Sequence, residues 1–184
     1  MNYIKRVLLL LSDARYGAAL RAVEMAGAGL GDLSRAPERS ATFFKPLRDG
    51  LARAAAAPGN RPGPTRLLAA AEDFTLRLEK VFTDMALHKT APDAAVKEAL
   101  LALQRACALT PSLLSAGNSG TAAETAAFCA QGRKSLRLAK AAADSAPSDF
   151  PLNLKFSSMY SGLDAVFDAL ERCSDALAGA GKRP

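Results

Sequence analysis

The sequence predicts an all-α protein, a single antiparallel bundle of about six helices formed by residues 1–184. Hydrophobic residues make up 49% of the chain, which excludes general disorder. Alanine supplies about a fifth of the residues, whereas isoleucine occurs once and valine five times. Helices favour alanine and leucine, and strands need β-branched side chains, so a sheet of any size is excluded. The length suits one domain with a sizeable core.

Prolines and glycines mark the first two predicted helices. The first should run from about residue 2 towards residue 27 and end in the glycine-rich stretch 27–31. The second starts after Pro37, a favourable first-turn residue, and reaches residue 57. Pro46 lacks an N–H and should kink or split this helix. Residues 58–64 contain three prolines and predict a loop.

The third helix, over residues 65–89, has the clearest periodicity in the chain. Pro92 should end it and start the fourth helix, which Pro111 breaks or bends. The apolar residues of the third helix recur with helical spacing and predict a buried face: Leu67, Ala71, Phe74, Leu78, Val81 and Met85.

Two further loops delimit the last two helices. Residues 117–120 form a glycine-containing loop, and Thr121 with Glu124 has the spacing of a capping box that starts the fifth helix. Residues 147–151 turn the chain into the sixth helix, which should end at residues 179–181. Short connections between long helices imply that neighbouring helices are antiparallel.

The charge pattern predicts a basic but solvated surface. The net charge is +6, and residues 1–65 carry ten Lys and Arg against five acids. No block of five or six like charges occurs, and aromatic residues are not interleaved with basic ones, so no nucleic-acid partner is expected.

The cysteines and apolar segments predict a cytoplasmic protein without membrane insertion. Cys107, Cys129 and Cys173 are odd in number and widely separated, which favours reduced, buried thiols. The leucine-rich run at residues 7–11 is shorter than the roughly 7–15 residues of a signal-peptide core. No segment approaches the roughly 18 apolar residues of a membrane span.

Four carboxylates near the C-terminus form the main candidate site. Asp164, Asp168, Glu171 and Asp175 have offsets of 0, 4, 7 and 11. On a helix these offsets project onto one stripe about 60° wide. Carboxylates with this spacing can ligate a hard or borderline cation, so the four residues are candidate metal ligands.

A second interpretation of the same stripe stays open, because spacing alone does not separate ligands from ion pairs. Like charges four residues apart destabilise a helix slightly and need compensation. Arg133, Arg137 and Lys140 recur at i, i+4 and i+7 on the preceding helix and could face the stripe. The stripe could then be a solvated face or a set of surface ion pairs.

The segment 155–182 resembles the C-terminal helix of the PhoU-like family. The residues that carry the resemblance are Leu163, Asp164, Asp168, Glu171, Asp175 and Lys182. It implies a bundle of two three-helix units and a divalent or ferric cation such as Fe, Zn or Mg on the carboxylates. It also implies a non-enzymatic regulator of phosphate transport whose partners are transporter or signalling-kinase components, and possible homo-oligomers.

No residue is assigned a catalytic role. His88 is the only histidine, follows Asp84 at i+4, and is interpreted as a surface or structural group in the last turn of a helix. No GxSxG nucleophile motif occurs, and His88 lies in no ExxH pair of a dimetal bundle. The predicted function is a PhoU-like regulatory or adaptor protein. The alternative is a structural or interaction bundle of chaperone or granule-surface type, without a ligand.

Overall fold

The computed structural model describes residues 13–58, 61–114, 119–145 and 150–182, and these ranges contain six α-helices and no strand. The predicted all-α bundle is confirmed. The helices are α1 (Ala14–Arg35), α2 (Ser40–Ala55), α3 (Pro62–His88), α4 (Ala94–Leu109), α5 (Ser119–Ser145) and α6 (Phe150–Lys182). Short 3-10 turns follow α1 and α4, at Pro37–Arg39 and Thr110–Leu114.

Five of the helices form a closed ring around the core. Around the ring, α1 contacts α3, α3 contacts α6, α6 contacts α5, α5 contacts α4, and α4 returns to α1. Helix α2 lies outside the ring against α1 and α3. Helices α5 and α6 are antiparallel. Arg133 of α5 contacts Asp168 of α6, and the later residue Lys140 contacts the earlier residue Ser161.

The core combines a few large side chains with many alanines. The largest fully buried side chains include Tyr16, Phe44, Phe74, Phe82 and Phe167. The apolar face predicted for α3 is buried along its whole length. Nine alanines are also buried within the described ranges, and they come from five of the six helices: Ala19, Ala22, Ala26, Ala54, Ala71, Ala99, Ala102, Ala106 and Ala169.

The glycine-rich stretch 27–31 does not end α1, so that prediction is wrong. Helix α1 continues to Arg35, and its glycines serve close packing. A Cβ on Gly27 would lie 2.4 Å from Cβ of Cys107 on α4, and one on Gly29 would lie 2.3 Å from the Phe43 ring. Both distances are far below contact distance, so only glycine lets these neighbours approach α1.

Pro46 does not split α2, which is one helix from Ser40 to Ala55 with the proline inside it. The predicted loop at residues 58–64 is also shorter than expected, because α3 begins at Pro62. Proline suits the first turn of a helix, because backbone N–H groups there have no acceptor within the helix and the missing N–H of proline costs no hydrogen bond.

Helix α3 ends at His88, before Pro92. The next residue, Lys89, adopts the left-handed conformation with φ 50°, and its N–H bonds to the carbonyl of Ala86. Such a residue closes a helix by satisfying its last carbonyl groups. Helix α4 then starts at an N-cap, Asp93, whose side chain accepts a hydrogen bond from the N–H of Val96.

Within the described ranges, no helix combines the length and apolar character that a bilayer crossing requires. The leucine-rich run at residues 7–11, Gly117 and Asn118 of the fifth-helix loop, and the predicted turn at residues 147–149 lie outside those ranges.

Candidate functional site

The acidic stripe lies on α6, beside the face that this helix buries. Leu163, Val166 and Leu170 are fully buried against the rest of the bundle, as are Cys173 and Leu177. Asp168 and Asp175 are exposed, and Asp164 and Glu171 are half-buried. The structure therefore confirms the predicted separation between an apolar face and a carboxylate face on one helix.

A single arginine on α5 contacts three of the four carboxylates. Nη2 of Arg133 lies 2.5 Å from Oδ1 of Asp168 and 2.9 Å from Oε2 of Glu171. Nε of Arg133 lies 3.7 Å from Oδ1 of Asp164. Neither of these last two atoms has a hydrogen-bond partner in the described structure, so that contact is electrostatic.

The residue before Arg133 explains how the arginine reaches α6. Gly132 faces Phe167, and a Cβ at position 132 would lie 2.3 Å from Cζ of that buried ring. The missing side chain lets α5 approach α6 closely, so Arg133 reaches all three acids while its side chain is only 17% exposed. The ion-pair interpretation of the stripe is confirmed for Arg133.

The other two predicted cations are placed differently. Lys140 donates a hydrogen bond to Oγ of Ser161, one turn before the first carboxylate of the stripe. Arg137 is exposed and forms no ion pair with the carboxylates in the described part of the chain. One guanidinium therefore contacts three carboxylates and balances the charge of one, so the cluster of Arg133, Asp164, Asp168 and Glu171 has a formal net charge of −2.

Asp175 belongs to a different part of the surface. It lines a furrow between α3 and α6 together with Arg66 and Arg172, on the side of α6 that faces α3. The four candidate ligands therefore fall into a group of three around Arg133 and a single carboxylate in the furrow.

No three His, Cys, Asp or Glu side chains in the described ranges are grouped so that they could hold a metal ion. A cation at Asp164, Asp168 and Glu171 would have to displace the guanidinium of Arg133 from its three contacts. Metal ligation by the four carboxylates, including Asp175, stays a prediction.

A second ion-pair cluster, not predicted from the sequence, joins α3 to α6. Asp73 accepts hydrogen bonds from Nε of Arg77 at 2.8 and 2.9 Å, and another from Arg172 across the furrow. Burial raises the pKa of Asp73, but hydrogen bonds and charges of both arginines outweigh it, so this pKa lies below its ordinary value. The i, i+4 spacing of Asp73 and Arg77 was visible in the sequence, but the partner 99 residues away was not.

The furrow between α3 and α6 extends beyond this cluster. A cavity of about 650 Å³ surrounds Asp73 and Arg172, and a second of about 310 Å³ contains Lys80 and Asp84. Arg77 lines both cavities, so the two lie next to each other along the seam between α3 and α6. Their walls carry both signs of charge, which suits a polar partner surface better than an apolar small molecule.

His88 stays at the surface, as expected. Its side chain is exposed in the last turn of α3, and its carbonyl accepts a hydrogen bond from the Thr90 hydroxyl. Asp84, four residues earlier, is half-buried and lines the furrow instead.

All three cysteines are free and buried, as the sequence predicted. Burial raises the pKa of Cys107 well above its ordinary value, and the nearby thiols of Cys173 and Cys129 raise it further. Burial also raises the pKa values of Cys129 and Cys173 to about 12. The thiolate is the nucleophile and the metal ligand, so these groups are inert at neutral pH.

Comparisons of the chain with protein-family models, with curated proteins and with solved structures found no match.

Proposed function

We propose that the protein is a non-enzymatic, PhoU-like regulatory or adaptor protein for the transport of phosphate or another anion. It would act in the cytoplasm through contacts with transporter or signalling-kinase components. The observation that carries the proposal is the acidic stripe of α6, whose residues match the family pattern and whose three-carboxylate cluster keeps a net charge of −2 beside Arg133.

The grouping of helices supports the same proposal. Helices α1, α2 and α3 contact one another pairwise, and α5 contacts both α4 and α6, whereas α4 and α6 meet at only a few residues. A bundle of two three-helix units, as the resemblance implies, has this pattern of contacts. The units join mainly where α3 meets α6 and where α1 meets α4.

The proposed action is recognition of a partner surface by the charged face of α6. A cluster with excess negative charge attracts basic groups and steers their approach. The adjoining furrow adds Arg66, Lys80 and Arg172, so the whole face displays a fixed pattern of both charges. Such a pattern specifies the orientation of a docked protein more than it adds affinity.

A cation would regulate this face by competing with Arg133. Carboxylates bound to Fe, Zn or Mg would no longer pair with the guanidinium, and the charge displayed to a partner would change. The resemblance supplies this part of the proposal, and the carboxylates assigned to the cation are Asp164, Asp168, Glu171 and Asp175.

Metal analysis of the untagged protein tests the cation. The wild type should retain metal after dialysis, Asp164→Ala/Asp168→Ala should lose it, and Arg133→Met should bind it more tightly because the competing cation is gone. Asp32→Ala removes an exposed carboxylate elsewhere and is the matched control. Equal metal content in the wild type and the double variant would contradict cation binding.

Deletion of the gene tests the regulatory role. Phosphate uptake should lose its normal response to phosphate supply, and the wild-type gene should restore it. Asp164→Ala/Asp168→Ala should fail to restore the response, whereas Asp32→Ala should succeed. An unchanged response after deletion would overturn the proposal and leave the structural or interaction bundle as the better function.

A further inference from the structure

A second groove, which shares no residue with the α3–α6 furrow, lies between α1 and α2. Its volume is about 460 Å³. The floor is apolar and nearly inaccessible to solvent, formed by Ala22 of α1 and by Leu47 and Ala54 of α2. Met25 forms part of the wall, and 50% of its surface is exposed.

The charges at the groove are all of one sign. Arg21 and Arg53 line it, and none of the described residues that line it is acidic. Both guanidinium groups are exposed, and neither forms an ion pair with any carboxylate in the described ranges. In the sequence as a whole, residues 1–65 carry ten basic groups against five acids.

Gly50 widens the groove, because it lines the groove and has no side chain. It lies inside α2, where glycine destabilises a helix by roughly 0.5–1 kcal/mol relative to alanine. Gly27, Gly29 and Gly132 are needed for packing within the bundle, but a Cβ on Gly50 would meet nothing within 4 Å. Because Gly50 lines the groove, its missing side chain leaves space for a group that comes from outside the bundle.

We infer that the groove between α1 and α2 binds an amphipathic helix of a partner protein, with apolar residues on one side and carboxylates flanking them. The apolar side would cover Ala22, Leu47 and Ala54, and the carboxylates would pair with Arg21 and Arg53. Small residues on the floor allow a helix to approach closely, and an open groove between two helices matches the shape of a third. Recognition of this helix does not depend on phosphate regulation.

The test measures binding of the full-length protein to a labelled peptide by fluorescence anisotropy. The peptide has about 20 residues so that it forms a helix, with leucines along one face and glutamates beside them. A matched peptide carries lysine in place of each glutamate. We expect saturable binding of the glutamate peptide that weakens as salt rises, and weaker binding of the lysine peptide.

Two variants address the groove directly. Gly50→Leu places a side chain in the groove, and its Cβ meets no atom of the bundle within 4 Å; Arg21→Glu/Arg53→Glu reverses the charge of the groove. Each should weaken binding of the glutamate peptide by about tenfold or more. The controls are Gly179→Leu, another glycine whose added Cβ meets nothing, and Arg39→Glu/Lys45→Glu, two exposed basic residues outside the groove. These controls should bind like the wild type.

Thermal unfolding shows whether a variant that loses binding is still folded. Leucine favours a helix more than glycine does, so the melting temperature of Gly50→Leu should be no lower than that of the wild type. Equal binding of both peptides, or wild-type binding by Gly50→Leu, would overturn the inference. Failure of the glutamate peptide to bind the wild type would also overturn it, and Gly50→Leu would then be tested for loss of binding to phosphatidylglycerol vesicles or loss of self-association. If either were lost, the groove would belong to a membrane surface or to a second copy.

Discussion

The phenol of Tyr160 on α6 donates a hydrogen bond to Oδ2 of Asp93, while Oδ1 of the same carboxylate accepts the N–H of Val96 at 2.8 Å. One side chain therefore caps the start of α4 and fixes it to a helix 67 residues away. Burial, then the hydrogen bond to Asp93 and its charge, raise the pKa of Tyr160 above its ordinary value.

Tyr160→Phe should lower the free energy of unfolding by about 1–2 kcal/mol, because it removes a hydrogen bond to a charged group at a buried position. Urea unfolding at pH 7 measures the loss. Above pH 10.0, the ordinary pKa of tyrosine, the unfolded chain releases this proton while the folded chain keeps it, so wild-type stability should fall as pH rises.

The phenylalanine variant lacks the titrating group, so its stability should fall less steeply over the same alkaline range. Asp93→Asn is the control for the cap, since asparagine also caps helices well. Equal stability of Tyr160→Phe and the wild type at pH 7 would show that the hydrogen bond contributes nothing.

Arg133 should stabilise the bundle more than Arg172, although both join α6 to another helix. Arg133 is 17% exposed and contacts three carboxylates, whereas Arg172 is 51% exposed and, among the residues that the structure describes, forms an ion pair with one carboxylate, Asp73. Arg133→Met should cost about 1–2 kcal/mol, and Arg172→Met less than about 1 kcal/mol, because exposed ion pairs contribute little. Chemical denaturation in urea gives both values.

Added salt provides the internal check on Arg133→Met. Without the arginine, Asp164, Asp168 and Glu171 repel one another, and about 1 M sodium chloride should screen this repulsion and recover part of the lost stability. A loss that does not change with salt would point to packing of the arginine stem instead of its charge.

Gly27→Ala and Gly50→Ala should change the melting temperature in opposite directions. The new Cβ at position 27 would lie 2.4 Å from Cβ of Cys107, so α1 and α4 must separate. We expect a net loss of about 1–2 kcal/mol, since overpacking outweighs the gain in helix propensity. Gly50→Ala meets no atom and should gain about 0.5–1 kcal/mol. A stabilised Gly27→Ala variant would contradict the close approach of the two helices.

The thiols of Cys107, Cys129 and Cys173 should not react with a disulfide reagent at pH 8 in the folded protein. All three are buried, and burial raises the pKa of each, to about 12 for Cys129 and Cys173. All three should react at once in 6 M guanidinium chloride, which exposes them. Fast reaction of one thiol in the native state would show that its helix opens locally.

Helix periodicity made the fold class and several buried faces predictable. The apolar residues of α3 recur every three to four positions, and the structure buries them. The separation of acidic and apolar faces on α6 followed from the same geometry, as did Arg133 as a partner of the stripe. These features depend on positions within one helix or on two helices adjacent in the chain.

Features that depend on distant contacts were not predictable. A glycine that ends a helix cannot be told from the sequence alone from a glycine that lets two helices pack closely. The contacts of Gly27 with Cys107 and of Gly29 with Phe43 show that these two glycines serve close packing. The pairing of Asp73 with Arg172 likewise requires knowing that α3 and α6 are neighbours.

The buried alanines also affect what folding costs in entropy. An alanine side chain has no rotamers to lose, whereas each buried leucine loses roughly 0.5–1 kcal/mol of side-chain freedom. Each alanine buries little apolar area, but it lets neighbouring helices approach closely, so that more backbone atoms come into van der Waals contact. Ala19, Ala22, Ala26 and Ala106 are therefore buried without a side-chain entropy cost, whereas the leucines of the same core each carry one.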